Sequence, residues 1–317
     1  MNLKTIIGTF VVGMLLVSCT HSDRLTVNVS QEVVTSGYIG NGVEWDPYDE
    51  AESWGTSVSD EDWQKLFKRL DFMRMGYVRC MINSPFRYYD PQTGKYDKTR
   101  NIESLSRLLQ YCTDHNIVVM YGEYNPPTWA MKDKQCWVDM SVGYLNYLVN
   151  DLGFSCIKYF VIFNEPDGNW ASTDGDYDLW KSMLLRFADK MKEYPGLDGK
   201  VKFAGPDAVV DYKNPSSPFD AAGWVKQAAT DLDSHIGIYD IHAYPGQHEV
   251  RSGQYADILA RHKEFIPASK KIVLGEAGYK YGREADSLLM KEYNRRVEGH
   301  PFTKGTDSNM LVYDYFY

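Results

Sequence analysis

Seven short runs of apolar, aromatic and β-branched residues, each followed by an amphipathic stretch, dominate this sequence. They cover residues 39–45, 77–83, 117–124, 158–164, 201–206, 238–244 and 271–276, roughly 40 residues apart. Most are continuous rather than alternating, as expected of parallel strands covered on both faces. The gaps carry helical faces. Ser59 is placed to cap a helix bearing Trp63, Leu66, Phe67 and Leu70 and closed by Gly76. Asn101 is placed to cap one bearing Leu105, Leu108, Leu109 and Cys112. Leu145, Leu148, Val149 and Leu152 mark a third, ended by Gly153, and Trp180, Met183, Leu184, Phe187 and Met191 a fourth. Trp224, Val225 and Ala228 mark a fifth, Tyr255, Ile258, Leu259 and His262 a sixth, and Leu288, Leu289 and Tyr293 a seventh. Seven β–α units in series predict a (β/α)8 TIM barrel over residues 38–317. The rival is a doubly wound open sheet, which carries a Gly-rich phosphate loop after its first strand; here that place reads Gly42-Val43-Glu44-Trp45-Asp46-Pro47. Residues 310–317 (MLVYDYFY) read as an eighth strand with no helix after it. The barrel is thus expected to lack its last helix, and the chain to be a fragment of a longer protein.

The N-terminus carries an address. Residues 2–18 hold one Lys ahead of an apolar run too short to span a bilayer, and Leu16-Val17-Ser18-Cys19 resembles a bacterial lipobox. The resemblance implies a signal peptide at 1–18, lipidation of Cys19, a polar tether at 19–37 and a place in the cell envelope. Thr20 rather than Asp favours the outer membrane, with contact to the membrane through the lipid anchor only. Cys80, Cys112, Cys136 and Cys156 fit no zinc spacing and are expected to be buried free thiols.

Composition narrows the partners. With 34 Lys and Arg against 43 Asp and Glu, the net charge of −9 speaks against nucleic acid, which needs a basic face. The 24 Tyr and 8 Trp exceed what packing requires and leave rings for a wet cleft.

Two strands end in carboxylates. The run YFVIF closes on Asn164-Glu165-Pro166-Asp167, where proline stops strand pairing, and the run IVL closes on Gly275-Glu276. In a barrel, residues at the C-terminal strand ends face a shared pocket. By strand count Glu165 ends the fourth and Glu276 the seventh. Two carboxyls across a pocket are what glycoside cleavage needs, one protonated and one ionised. The histidine spacings of metal hydrolases, the Gly-x-Ser-x-Gly elbow and the Walker loop are absent from the sequence, so no metal or cofactor is expected.

On these residues the chain resembles the clan A glycoside hydrolases, retaining enzymes built on (β/α)8 barrels. Asn164-Glu165-Pro166 and Gly275-Glu276 match the two catalytic positions, Arg79 the strand-two arginine, and His242 and Tyr244 the strand-six pattern. Asn-Glu-Pro-Asp with Trp170, the Gly205-Pro206-Asp207 strand and His242-Ala243-Tyr244-Pro245 are similar to family 39. Asn125-Pro126-Pro127-Thr128-Trp129 is similar to family 30, and family 5 is a further resemblance. The resemblance implies a carbohydrate substrate, Glu276 as nucleophile, Glu165 as acid/base and Asn164 on the sugar 2-hydroxyl. Arg79 and Tyr244 would hold Glu276, and His242 would touch substrate or Glu165. Trp45, Trp129 and Trp170 are expected as subsite walls, with Glu44 and Glu123 as further strand-end carboxylates. The alternative is a surface lipoprotein that binds glycan on the same barrel without turnover.

Overall fold

The structure, a computed structural model, describes residues 28–278 except 34, 35, 37, 39 and 211, together with 287, 288 and 291. The chain divides into two compact units, Met1–Tyr38 and Ile39–Tyr317. The described residues of the first contain no helix or strand and are exposed. Cys19 and the signal segment, the eighth strand at 310–317 and most of the helix expected around Leu289 and Tyr293 lie outside the described residues. Among the described residues, no helix is long and apolar enough to cross a membrane.

Among the described residues of the second unit, seven parallel strands pair in chain order: β1 (Gly42–Glu44), β2 (Tyr77–Ile82), β3 (Val118–Glu123), β4 (Ile157–Val161), β5 (Lys202–Val209), β6 (Ile236–Ala243) and β7 (Ile272–Ala277). Helices alternate with them: α1 (Asp60–Met73), α2 (Glu103–Asp114), α3 (Gln135–Asn146), α4 (Tyr177–Met191), α5 (Ala221–Asp231) and α6 (Gln254–Phe265). Side chains from β1, β2, β5, β6 and β7 meet at one point, which a flat sheet of this order could not achieve; the sheet is curled into a nearly closed barrel.

The alternation of β2 shows how the strands divide their residues. Val78, Cys80 and Ile82 pack outward into the large core shared with the helices, while Tyr77 and Met81 join Met120, Val161, Ala204 and Ile238 in a smaller cluster. Arg79 lies between Tyr77 and Met81 in that alternation and is 1% exposed. The interior is tight: a Cβ at Gly122 would come within 2.5 Å of Met81 Sδ and 2.8 Å of the Val161 Cβ.

Several local expectations change. Ser59 does cap α1, accepting from Asp62 N, but the helix ends on Arg74 in the left-handed region, two residues before Gly76. Asn101 does not cap α2; its side chain donates to Phe86 O instead. After α3 the chain continues as a π-turn, Tyr147–Asp151, before Gly153. Cys80, Cys112 and Cys156 are buried free thiols, whereas Cys136 is exposed. Trp45 borders the same cavity as Trp129 but turns most of its ring to the helices. It is 5% exposed, with its ring 6.1 Å from Trp63 and 5.7 Å from Tyr111, because Glu44 occupies the inward position beside it.

Candidate active site

Glu276 sits within β7, in register with His242 on β6. Gly275 before it donates its N–H to Asp240 Oδ1 at 2.7 Å, and a Cβ there would fall 2.4 Å from both carboxylate oxygens of Asp240. That is the close approach for which the glycine is needed. Glu276 Oε1 lies 2.7 Å from Arg79 Nη1, and Glu276 Oε2 accepts from the Tyr244 hydroxyl at 2.5 Å.

Glu165 lies beyond β4, which ends at Val161, short of the predicted Asn164. Its backbone is left-handed, with φ 48°, a conformation that costs a non-glycine residue about 1–3 kcal/mol. Asp207 Oδ2 accepts the Glu165 N–H at 3.1 Å and holds the turn. The side chain is held twice: Oε1 is 2.8 Å from His242 Nδ1, and Oε2 accepts from Trp170 Nε1 at 2.5 Å. Asp167 in the same turn accepts from Val209 N with both oxygens, at 3.2 and 3.0 Å, and pins the turn to β5. Burial pushes the Asp167 carboxyl up to about 7.

The two carboxylates meet. One oxygen of Glu165, one oxygen of Glu276 and a ring nitrogen of His242 lie within 4.8 Å of one another. The side chains of Glu165 and Glu276 are 13% and 14% exposed, so both are sheltered but reachable.

Arg79 is the central cation. It pairs with Glu44 (2.6 Å), Glu276 (2.7 Å) and Asp207 (3.4 Å), and Nη2 donates to Asn164 Oδ1. Burial disfavours its charge, but Asp207, Glu276 and Glu44 outweigh this and hold the proton more firmly than usual. Glu44 is pushed up to about 7, chiefly by burial, with Glu276 and Asp46 adding to it and Arg79 opposing. Asp46 accepts from Met81 N at 2.8 Å and from the Tyr124 hydroxyl at 2.5 Å. His242 is fully buried; Asp207 and Glu165 overcome the cost of burying its charge and raise its proton affinity well above the ordinary imidazole value.

Of the predicted site residues, Arg79, Asn164, Glu165, His242, Tyr244 and Glu276 converge here. Trp170 stands beside Glu165, 43% exposed, its ring 4.7 Å from Tyr212. Trp129 is 56% exposed and lines a cavity of about 1240 Å³ over the ends of β1 and β3, together with Glu44, Asp46, Tyr124 and Trp54. Glu165 and Glu276 do not line that cavity; Glu44 borders both it and the carboxylate pair. Glu123 is elsewhere, fully buried and bonded by Tyr88, Trp137 and Ser141, a packing carboxylate. Asp207 and Trp54 were not singled out as site residues. The Gly205-Pro206-Asp207 stretch was visible in the sequence, but the register irregularity between Pro206 and Ala208 that accompanies Asp207's placement was not.

The donor sets Glu165–His242–Glu276 and Asp207–Asp240–His242 are compact enough to be considered for a metal ion. Both ring nitrogens of His242, however, already face carboxylate oxygens, at 2.8 and 3.1 Å, so the ring is engaged as a hydrogen-bond partner rather than offering a lone pair.

Solved structures share this architecture. A family 39 β-xylosidase from Caulobacter crescentus superposes with a TM-score of 0.55 at 14% identity, covering 84% of this chain and 61% of that one. The fold is a TIM barrel. A family 39 enzyme from Xanthomonas axonopodis pv. citri matches with a TM-score of 0.53 at 14% identity, over 81% of this chain and 56% of that one. Thermotoga maritima Cel5A, solved with cellobiose, matches with a TM-score of 0.51 at 15% identity, over 88% and 97%. The chain spans 61% or less of the family 39 barrel proteins just described. No protein-family model and no curated protein matches the sequence. The TIM barrel thus has its side-chain cluster where the C-terminal strand ends open, the end on which barrel active sites are built.

Proposed function

We propose that this protein is a retaining glycoside hydrolase acting on an oligosaccharide or polysaccharide. The reading rests on Glu165 and Glu276 facing one pocket with one oxygen of each within 4.8 Å of the other. Retaining enzymes hold their carboxyls about 5–5.5 Å apart, whereas inverting enzymes leave about 6.5–9.5 Å for a water. The contrast between the partners supports the division of roles. Glu276 has a permanent cation and a phenol hydroxyl beside it, which suits an attacking carboxylate. Glu165 has a titratable imidazole beside it, which suits a group that gives and takes a proton.

In the first step Glu276 attacks the anomeric carbon while Glu165 protonates the departing oxygen, giving a glycosyl ester on Glu276. In the second, Glu165 takes a proton from water, which attacks the same carbon and frees Glu276. Asn164, oriented by Arg79, bonds the sugar 2-hydroxyl, a contact that tightens at the transition state. Trp129 and Trp170 offer exposed ring faces to sugar C–H groups. The fold relatives include an enzyme named a β-xylosidase and one solved in complex with cellobiose, in keeping with a carbohydrate substrate.

The test is a pair of variants assayed with aryl glycosides of graded leaving ability. E276A should abolish turnover of every substrate. E165A should lose about 10²–10⁴-fold on poor leaving groups and keep the first step on good ones. Equal loss in both variants on all substrates, or a first product of inverted configuration, would reject the reading. We further propose that Cys19 carries the lipid anchor of an envelope protein; C19S should abolish incorporation of labelled fatty acid, and retained label would reject this.

A further inference from the structure

His242 is fully buried and lies between two acids: Nδ1 is 2.8 Å from Glu165 Oε1 and Nε2 is 3.1 Å from Asp207 Oδ1. An ionised carboxylate only accepts hydrogen bonds, and a neutral imidazole donates from one nitrogen alone. Both contacts are therefore satisfied only when the ring and Glu165 together hold one proton more than neutral histidine and ionised glutamate would. Trp170 Nε1 donates to the other oxygen of Glu165, which makes Oε2 an acceptor and confines the extra proton to the contact between Nδ1 and Oε1.

The charge that balances a buried imidazolium has to be identified among its neighbours. Facing His242 are Asp207 from β5, Asp240 from its own strand, Glu165 from beyond β4, Glu276 from β7 and Arg79 from β2, with Glu44 and Asp167 further out. Asp207 is 1% exposed and touches both halves of the site. It accepts from His242 Nε2, from the Glu165 backbone and from Arg79 Nη2. Its own backbone is left-handed, with φ 62°, a strain accepted where the side chain is needed. Asp240 is the competing counter-charge. It is fully buried, one oxygen has no hydrogen-bond partner among the described residues, and burial beside Asp207 favours its neutral form.

We propose that Glu165 and His242 share one exchangeable proton, and that Asp207 is the positioning residue whose buried negative charge keeps it there. This rests on the glycosidase reading for its purpose. In the first step the proton moves from Nδ1 to Glu165 and on to the leaving oxygen, and His242 is left neutral. In the second, the proton that Glu165 takes from water returns to Nδ1, restoring the imidazolium. Asp207 stays ionised throughout.

The experiment compares wild type, D207N and D240N. For a substrate with a poor leaving group, the alkaline limb of kcat/KM should move down by about 1–3 pH units in D207N and stay in place in D240N. A uniform loss of rate in D207N with the limb unmoved, or a shift confined to D240N, overturns the proposal. Nitrogen-15 NMR of the His242 ring, assigned by its loss in H242Q, tests it without reference to activity. In the wild type both ring nitrogens should carry hydrogen at pH 8. A His242 that titrates near the ordinary imidazole value overturns the proposal even if D207N does not fold. A wild type that cleaves no glycoside but holds a protonated His242 at pH 8 would instead sink the glycosidase reading and leave the shared proton standing.

Discussion

Glu165 and Glu276 have almost the same exposure, share one pocket and both face His242, yet their nearest partners differ. The Glu276 side is built from strands: its carboxylate is in register with β6, and Arg79 and Tyr244 grip both oxygens. The Glu165 side is built from turns: its backbone is left-handed, its support is the side chain of Asp207, and its partners are an indole N–H on a loop and a histidine. An arginine cannot surrender its proton at ordinary pH, whereas a histidine can. One side of the site therefore has a fixed charge and the other a movable one. The difference teaches that chemically identical groups are given different electrostatic settings by their neighbours rather than by depth in the fold.

The sharpest way to break this contrast is R79M. Arg79 touches Glu276, Glu44, Asp207 and Asn164, so its loss strands several buried acids on both sides. We expect a stability loss of about 3–5 kcal/mol by thermal or urea unfolding. A loss under ~1 kcal/mol would mean that the network is not the framework of the site. Next in size is the pair Y244F and W170F. Y244F removes one hydrogen bond to a charged group, about 1.5–3 kcal/mol, and should slow all substrates alike by roughly 10–100-fold. W170F should cost less, because water reaches its 43% exposed ring, and its cost should grow as the leaving group worsens. The same leaving-group dependence in both variants would erase the distinction between the two sides.

A separate test is the pH dependence set by Glu44. Its carboxyl is raised from 4.5 to about 7, so the folded state binds the proton more tightly than the unfolded chain. Stability then falls as pH rises from 4.5 towards 7, and the penalty is fully present above 7. E44Q should melt higher than wild type at pH 8 and no higher below pH 4.5. A melting difference independent of pH would show that Glu44 acts by packing rather than charge.

Much of this site was readable before any coordinates. The seven apolar runs fall on the seven strands, and Arg79, Glu165, His242, Tyr244 and Glu276 meet because each ends or lines a strand that opens on the same pocket. Trp45 borders the Trp129 cavity yet packs most of its ring on Trp63 and Tyr111, as strand alternation requires if Glu44 faces the barrel interior. Glu123 was indistinguishable from the other strand-end carboxylates until its partners Tyr88, Trp137 and Ser141, distant in sequence, were seen around it. Asp207 could not have been assigned, since its inward reach depends on a left-handed backbone and a register irregularity that no local pattern records.

The sequence by itself determined the alternation of strand and helix, the barrel, and which strand ends carry carboxylates. These follow from burial periodicity and from where proline and glycine interrupt it, both of which are local properties. Only the tertiary structure decided how near the two carboxylates stand, which one lies beside a fixed charge and which beside a proton-bearing ring. Those are distances between residues 77 to 197 positions apart, and the energy of a charge in a low-dielectric interior depends on such distances rather than on the order of residues in the chain.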